Sequence, residues 1–241
     1  MLKHTILVAA VAGMVLGLVA GPAGATLISV TAYTGSNNQD NYGGNMSDLF
    51  SGEEITKTDP SDPSTWTADG GDHYSHEWQA GALQSGAVNN KIAWTAFDFG
   101  ATVANLDDIY FWNIRQDSGQ DARTILYNIY YCTGSPTVAL PAAPTDDSTV
   151  DYDFSSPGWT LLNTGGTLTM PQKGGAPDPA NQIISLGGIS ARYIAVEILT
   201  NAGSTSRAGL SEIAIVQIPE PATLALLGLG GLGLILGRKR R

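Results

Sequence analysis

The residues whose types and spacing are most suggestive of chemistry lie in the stretch GGDHYSHEW, residues 70–78. His73 and His76 are two imidazoles three residues apart, and Glu77 adds a carboxylate beside them. Imidazole and carboxylate groups are ligands that transition metals accept in proteins. The stretch has no helical pattern, and its spacing assigns no third ligand. Two hypotheses therefore stand side by side: a transition-metal site, or the polar residues of a loop.

Motifs of catalysis are absent from the sequence. It contains no G-x-S-x-G, no H-E-x-x-H and no phosphate-binding loop. Cys132 follows a strand-like run and lacks the setting of a nucleophile, so we predict a half-buried thiol. Asp107 and Asp108 are adjacent, and neighbouring residues of a strand face opposite ways, which predicts a solvated turn rather than a carboxylate pair. We predict that the protein is not an enzyme. The alternative, an exported hydrolase, requires a cleft with perturbed carboxylates.

The charge balance limits the partners. The 241 residues carry a formal net charge of -10. Without Lys3 and the four basic residues at the C-terminus, seven Lys and Arg face 22 Asp and Glu, a balance of -15. Binding to nucleic acid needs clustered Lys and Arg for the phosphates, so we exclude it. Divalent cations and basic partners fit this composition better. The single cysteine excludes an intramolecular disulfide.

The N-terminal 25 residues have the pattern of a secretory signal peptide. A short region with Lys3 and His4 precedes the apolar run of residues 5–20, and the stretch GPAGA ends with the small residues Ala23 and Ala25. This order predicts a signal helix that signal peptidase removes after Ala25. We therefore expect the protein to be exported.

The C-terminal residues 218–241 have three parts in a fixed order. The stretch IPEP precedes the uncharged run 222–237, which is slightly short for a membrane span of about 20 residues. A basic cluster ends the chain, and basic residues favour the cytoplasmic side of a membrane. It consists of Arg238, Lys239, Arg240 and Arg241.

These three parts resemble the PEP-CTERM sorting signal of Gram-negative bacteria, which is also labelled an ice-binding-protein C-terminal domain. The resemblance implies that Pro219, Glu220 and Pro221 are recognised by an exosortase, a membrane transpeptidase. It further implies a hydrophobic helix that anchors the protein transiently in the inner membrane. The processed protein would then reach the cell surface or the extracellular matrix.

Between the two ends, residues 26–217 are predicted to form one all-β domain. Short runs of alternating apolar and polar residues recur between turn residues, and no helical period is present. One example is RYIAVEIL, where Ile194, Val196 and Ile198 point one way. Such strands favour an antiparallel β-sandwich. The predicted strands are residues 26–33, 92–100, 107–114, 123–131, 159–163, 181–186, 192–199 and 211–218.

Several of these pieces resemble discoidin-like domains, also called coagulation-factor C-type domains. They are WTAFDFG with LDDIYFWNI, then RTILYNIYY, ARYIAVEILTN and GLSEI, which together span residues 92–216. The resemblance implies a galactose-binding-like jelly-roll sandwich. The residues also have local roles: Asp98 and Gly100 suit a turn, Trp112 suits the core with its N–H bonded internally, and Arg192 can pair with a carboxylate.

The same resemblance implies two kinds of ligand. A structural Ca²⁺ would be held near residues 48–53 together with the glutamate of GLSEI, since Ca²⁺ takes six to eight oxygen ligands. Family 32 carbohydrate-binding modules, as an analogy, imply that loops at one end of the sandwich contact polysaccharide. The candidate Ca²⁺ ligands are Asp48, Ser51, Glu53 and Glu212; the candidate sugar contacts are Tyr74, His76, Trp78, Arg115, Arg123 and Arg207.

Two functions follow from these expectations. The first is a surface or matrix protein that binds exopolysaccharide without catalysis. The second is a structural biofilm protein without a specific ligand, in which the acidic surface bridges cations. The two share one fold, and fold alone does not choose between them.

Overall fold

The fold is built of β-strands. The computed structural model describes residues 25–36, 46–51, 55–60, 62–68, 77–81, 87–114, 122–143, 150–167, 180–204 and 207–218. This part of the chain contains eleven strands, three short 3-10 helices and no α-helix. The predicted signal helix and the predicted C-terminal hydrophobic helix lie outside it. The strands are β1 (Thr26–Leu27), β2 (Ala32–Gly35), β3 (Ile55–Lys57), β4 (Trp66–Ala68), β5 (Trp78–Gly81), β6 (Ala93–Trp112), β7 (Thr124–Cys132), β8 (Thr160–Thr167), β9 (Gln182–Asn201), β10 (Arg207–Leu210) and β11 (Glu212–Gln217).

β6 and β9 are long, bent strands, each of which the sequence pattern divides into two. β6 bends where Gly100 and Asn105 have positive φ angles of 79° and 54°. β9 bends at Gly187 and Gly188, with φ angles of 65° and 75°. Glycine adopts such angles without steric cost. Pairing between β6 and β9 continues through the bends with shifts of register, so the sheet turns without ending.

The bends divide the strands into two sheets. In the first sheet β2, residues 93–98 of β6, residues 193–198 of β9, β7 and β8 lie side by side. In the second sheet β1, β11, residues 106–112 of β6 and residues 182–189 of β9 lie side by side. All of these pairs are antiparallel.

One apolar core lies between the two sheets. It takes alternate residues of strands in both sheets, as expected where one face of a strand is buried. The predicted inward set of β9, Ile194, Val196 and Ile198, is fully buried in this core. The predicted antiparallel β-sandwich is therefore confirmed. Its other large members include Phe97, Phe111, Tyr127, Ile129, Ile213 and Ile215.

The outer face of the second sheet is covered by the hairpin of β3 and β4. Trp66 of β4 stacks on Trp112 of β6 with ring centroids 6.1 Å apart, and Val216 of β11 joins the same cluster. Trp112 is buried as predicted. The prediction that its N–H is bonded internally is wrong, because its Nε1 has no hydrogen-bond partner. The ring contributes apolar area instead.

The outer face of the first sheet is covered by residues 150–159. Phe154 packs on Trp94 and on Tyr130, with ring centroids 5.5 Å and 5.3 Å apart, and Trp159 packs against Phe154 at 5.0 Å. The indole of Trp94 also donates to the carbonyl oxygen of Val150 at 2.8 Å. This segment was expected to extend from one end of the sandwich; it forms a third layer instead.

A cluster of buried charges lies beneath this third layer. The ammonium of Lys91 lies 2.8 Å from Asp151 Oδ1 and 3.7 Å from Glu197 Oε1. The side chains of Lys91 and Glu197 are fully buried. Glu197 Oε2 accepts hydrogen bonds from Asn128 Nδ2 at 2.9 Å and Tyr130 Oη at 3.0 Å. Buried charges need such partners, because desolvation is costly.

Candidate functional site

One end of the sandwich, here called the loop end, is organised by the pairing of β5 with β10. Leu210 lies opposite Trp78 and Arg207 opposite Gly81 in this antiparallel pair. A parallel bridge joins Arg123 to Gly209 of β10. The loop end therefore comprises β5, β10, residues 113–114, 122–124 and 201–204.

Side chains and backbone fix the elements of the loop end to one another. Asn113 donates through Nδ2 to the carbonyl oxygen of Thr124 at 2.7 Å, and its Oδ1 accepts from the N–H of Thr124 at 3.0 Å. The hydroxyl of Thr124 donates to the carbonyl oxygen of Gly209 at 2.6 Å. Asn201 Nδ2 donates to the carbonyl oxygen of Ser204 at 2.8 Å. These bonds are satisfied within a buried setting, so they hold the backbone of the loop end in one arrangement.

Three of the six predicted sugar-contact residues lie in the described part of the loop end. Arg123 is partly exposed beside β10. Arg207 is only 5% exposed, and its Nη1 donates to Gln79 Oε1 at 3.1 Å. The other three, Tyr74, His76 and Arg115, lie outside the described residues.

Trp78 is placed differently from the sequence-based expectation. Its side chain is fully buried and belongs to the core between the sheets. In β5, Trp78 and Ala80 join this core, while Gln79 between them pairs with Arg207. A ring that stacks on a sugar must be open to solvent on one face. We therefore correct the assignment of Trp78: it is a core residue that positions β5.

The predicted calcium ligands lie around the 3-10 helix Met46–Phe50 and the start of β11. The hydroxyl of Ser51 donates to the backbone carbonyl oxygen of Asp48 at 3.2 Å, and Ser47 Oγ donates to Asp48 Oδ1 at 3.4 Å. Glu212 is buried at the first position of β11, against which the helix packs. Glu53 lies outside the described residues.

The described residues contain no cluster of three or more His, Cys, Asp or Glu side chains with the spacing of a metal site. His73 and His76, on which the transition-metal hypothesis depends, lie outside the described residues. Glu77 is described and buried. Both metal hypotheses thus depend in part on side chains beyond the described structure.

The predicted turn of Asp98 and Gly100 and the predicted partner of Arg192 form one local structure. The N–H of Gly100 donates to Asp98 Oδ1 at 2.7 Å. Arg192 donates through Nε and Nη2 to the two oxygens of Asp98, both at 2.9 Å. This bidentate hydrogen bond from Arg192, with the Gly100 N–H, holds the pKa of the Asp98 carboxyl below its ordinary value of 3.8 despite partial burial. Both predictions are confirmed.

We expect the Asp98–Arg192 pair to stabilise the domain in a pH-dependent way. Because the folded pKa of Asp98 is lowered from 3.8, the stabilisation is complete above that value and is lost as the pH falls through the folded pKa. Chemical unfolding at several pH values below about 5 should therefore show a shallower loss of stability in Asp98→Asn than in the wild type. Equal slopes would contradict this assignment.

Two further groups lie away from the loop end. Cys132 is a buried free cysteine whose Sγ donates to the carbonyl oxygen of Gly134 at 3.3 Å, so it is more buried than predicted. Asp107 and Asp108 lie within β6, not in a turn. Burial, and then the charge of Asp107, raises the pKa of the Asp108 carboxyl. These side chains form no group with a second candidate nucleophile or base in the described structure.

The sequence analysis did not anticipate an open groove of about 450 Å³ beside β2. It lies between β2 and the Pro-rich residues 135–143, and Asp98 and Tyr193 contribute to its wall. Tyr33 lines it and is 38% exposed. The only sequence signal for it was the unusual run of small and Pro residues in 135–143, and this signal does not reveal which strand the segment approaches.

Solved structures similar to this chain come from three kinds of protein. Truncated AlyQ with CBM32 and alginate lyase domains is 17% identical with a TM-score of 0.44; the match covers 82% of this chain and 34% of that one, so the chain spans about a third of its length. The F5/8 type C domain of a Bacteroides fragilis protein is 13% identical with a TM-score of 0.47, covering 82% and 99%. The family 32 CBM of Clostridium perfringens NanJ in complex with galactose is 12% identical with a TM-score of 0.42, covering 80% and 99%.

Sequence comparisons identify one segment of the chain. No curated protein matches it. Within the described residues, none of the helices has the length and apolar character needed to cross a membrane. The predicted span 222–237, the motif residues 219–221 and the basic cluster 238–241 lie outside those residues. A family profile matches residues 217–241, and the chain therefore carries a PEP-CTERM protein-sorting motif.

Proposed function

We propose that this protein is exported across the inner membrane of a Gram-negative bacterium, sorted by an exosortase to the surface or extracellular matrix, and binds exopolysaccharide there without catalysis. The sorting motif at residues 217–241 supports export and sorting. The N-terminal signal pattern of residues 1–25 supports the same route. The resemblance to discoidin-like domains supports a binding role for the sandwich.

One observation carries the binding proposal: the loop end brings together chain segments that are far apart in sequence. Arg123 bridges to Gly209, and β5 pairs with β10. In the sequence, Arg115 directly follows Ile114 of the loop end, and His76 precedes β5 by two residues. Polar donors carried by separate loops on a rigid scaffold are the usual arrangement of a binding surface.

We expect Arg123→Ala to weaken carbohydrate binding at least ten-fold. The guanidinium carries several donors in a fixed geometry, and losing a charged hydrogen bond to a ligand costs about 1.5–3 kcal/mol. Affinity electrophoresis of the 26–217 domain in gels containing purified exopolysaccharide measures the effect. Lys57→Ala removes the same charge from β3, which lies on the outer face of the second sheet, and serves as the matched control.

Equal retardation of both variants and the wild type would move the site away from Arg123. Association that depends on cations but does not distinguish between sugars would instead favour the structural biofilm protein without a specific ligand.

We propose further that the domain binds a structural Ca²⁺ through Asp48, Ser51, Glu53 and Glu212. Support comes from the position of the 3-10 helix Met46–Phe50 against β11, which carries Glu212. An ion bound to the folded state alone raises the unfolding temperature by mass action. We expect the melting temperature of the 26–217 domain to rise with Ca²⁺ and to return with chelator. Glu212→Gln should reduce the rise, and an unchanged melting temperature in the wild type would contradict the proposal.

A further inference from the structure

The folded domain ends very close to the sorting motif. β11 ends at Gln217, and Pro219 begins the PEP triplet two residues later, a span of about 7 Å in extended chain. Gln217 is itself paired on both sides, with Leu106 of β6 and with Thr26 of β1. The residues that lead into the motif are therefore bound within the sheet and do not form a linker.

β1 is the weaker of these two neighbours. It is only two residues long, Thr26–Leu27, and both residues are exposed. Its pairing covers Gln217 and Val216, and one further backbone bond follows, from the N–H of Ile28 to the carbonyl oxygen of Ile215 at 2.8 Å. Short edge strands with few buried contacts open at low free-energy cost.

The packing beneath this N-terminal strand is incomplete. A cavity of about 260 Å³ lies between residues 27–30 and residues 212–215 of β11, with Trp66 and Phe50 also in its wall. Atoms that face a void lose dispersion contacts on that side. The strand is thus attached to β11 mainly by backbone hydrogen bonds, which can open without disturbing the core between the sheets.

We propose that β1 is a latch for sorting: it must separate from β11 before the sorting protease can bind the chain next to the motif. Enzymes and other proteins that bind extended peptides commonly do so by pairing with a free strand edge. While β1 is paired, it occupies this edge of Val216 and Gln217. The latch acts on substrate binding and not on peptide-bond cleavage, and it rests on the proposed exosortase sorting.

A disulfide between β1 and β11 tests the latch. Because Ile28 donates to Ile215, the adjacent pair Leu27 and Val216 is a non-hydrogen-bonded pair, with Cα atoms about 4.5 Å apart. That separation permits a disulfide. The full chain carrying Leu27→Cys, Val216→Cys and Cys132→Ala is expressed in a host with an exosortase. In a pulse-chase experiment, we expect the oxidised chain to lose its sorting tail at least ten-fold more slowly than the same chain kept reduced.

A linker variant supplies the control. Six Gly and Ser residues inserted between Ile218 and Pro219 move the motif away from β11, so the oxidised chain should then be processed as fast as the reduced one. Equal rates of the oxidised and reduced chains without the linker would overturn the latch, and so would a slow oxidised chain that the linker does not restore. A wild-type chain that is never processed would overturn the proposed sorting itself, a result distinct from either.

Discussion

Replacing Glu197 with alanine is expected to lower the free energy of unfolding of the 26–217 domain by about 3–5 kcal/mol. Glu197 is fully buried and lies 3.7 Å from the buried ammonium of Lys91. It also accepts hydrogen bonds from Asn128 and Tyr130, whose donors would lose their acceptor in the variant. Removing one partner from a buried charge pair leaves the other uncompensated, which costs more than the pair gains. Urea unfolding followed by tryptophan fluorescence measures the change.

A double variant separates the charge effect from simple loss of packing. Lys91→Met with Glu197→Gln removes both charges and keeps similar volumes, so we expect it to be more stable than Glu197→Ala. Asp151, which is 2.8 Å from Lys91, loses its partner in that variant but is partly exposed to water. A double variant as unstable as Glu197→Ala would contradict a penalty that arises from the uncompensated charge.

Replacing Gly209 with alanine is expected to destabilise the domain by about 3 kcal/mol and to abolish the organisation of the loop end. A Cβ on Gly209 would overlap the backbone carbonyl oxygen of Trp78 and lie 2.9 Å from Ile114 Cδ1. Backbone cannot turn away as a flexible side chain can, so β10 must move away from β5. The N–H of Gly209 also donates to the carbonyl oxygen of Ala122 at 3.0 Å, and that bond would be lost with it.

Gly134→Ala is the matched control for this prediction, because a Cβ there meets nothing within 4 Å. We expect Gly134→Ala to unfold at the same urea concentration as the wild type, within error. Carbohydrate retention should fall in Gly209→Ala and persist in Gly134→Ala. A Gly209→Ala domain with wild-type stability would contradict the close approach of β5 and β10 that the proposed site requires.

Local sequence patterns predicted the features of this fold that depend on nearby residues. Alternation in RYIAVEIL placed Ile194, Val196 and Ile198 on the core side, because successive side chains of a strand face opposite ways. The turn at Asp98 and Gly100 followed from a short acceptor next to a permissive backbone.

Features that depend on distant segments were not predicted. Trp94 and Ala96 are as buried as Ala93 and Phe97 between them, so both faces of this part of β6 are apolar and covered. This signal was present in the sequence, but it does not say which segment forms the cover. That segment is residues 150–159, over 50 positions away.

The candidate site was predicted only in part, for the same reason. Arg123 and Arg207 were chosen by residue type, and the structure places both at the loop end through pairings with β10. Trp78 was also chosen by type, but alternation within the four residues of β5 is too short to reveal which face is inward. Its burial follows from the position of β5 against the core, which local sequence does not encode.

The most direct test of the central claim is a glycan array probed with the 26–217 domain, once with Ca²⁺ and once with chelator. The account predicts retention on at least one glycan, with loss of that signal in Arg123→Ala and its persistence in Lys57→Ala. No retention of the folded wild-type domain on any glycan, with or without Ca²⁺, would contradict the claim that the sandwich binds carbohydrate.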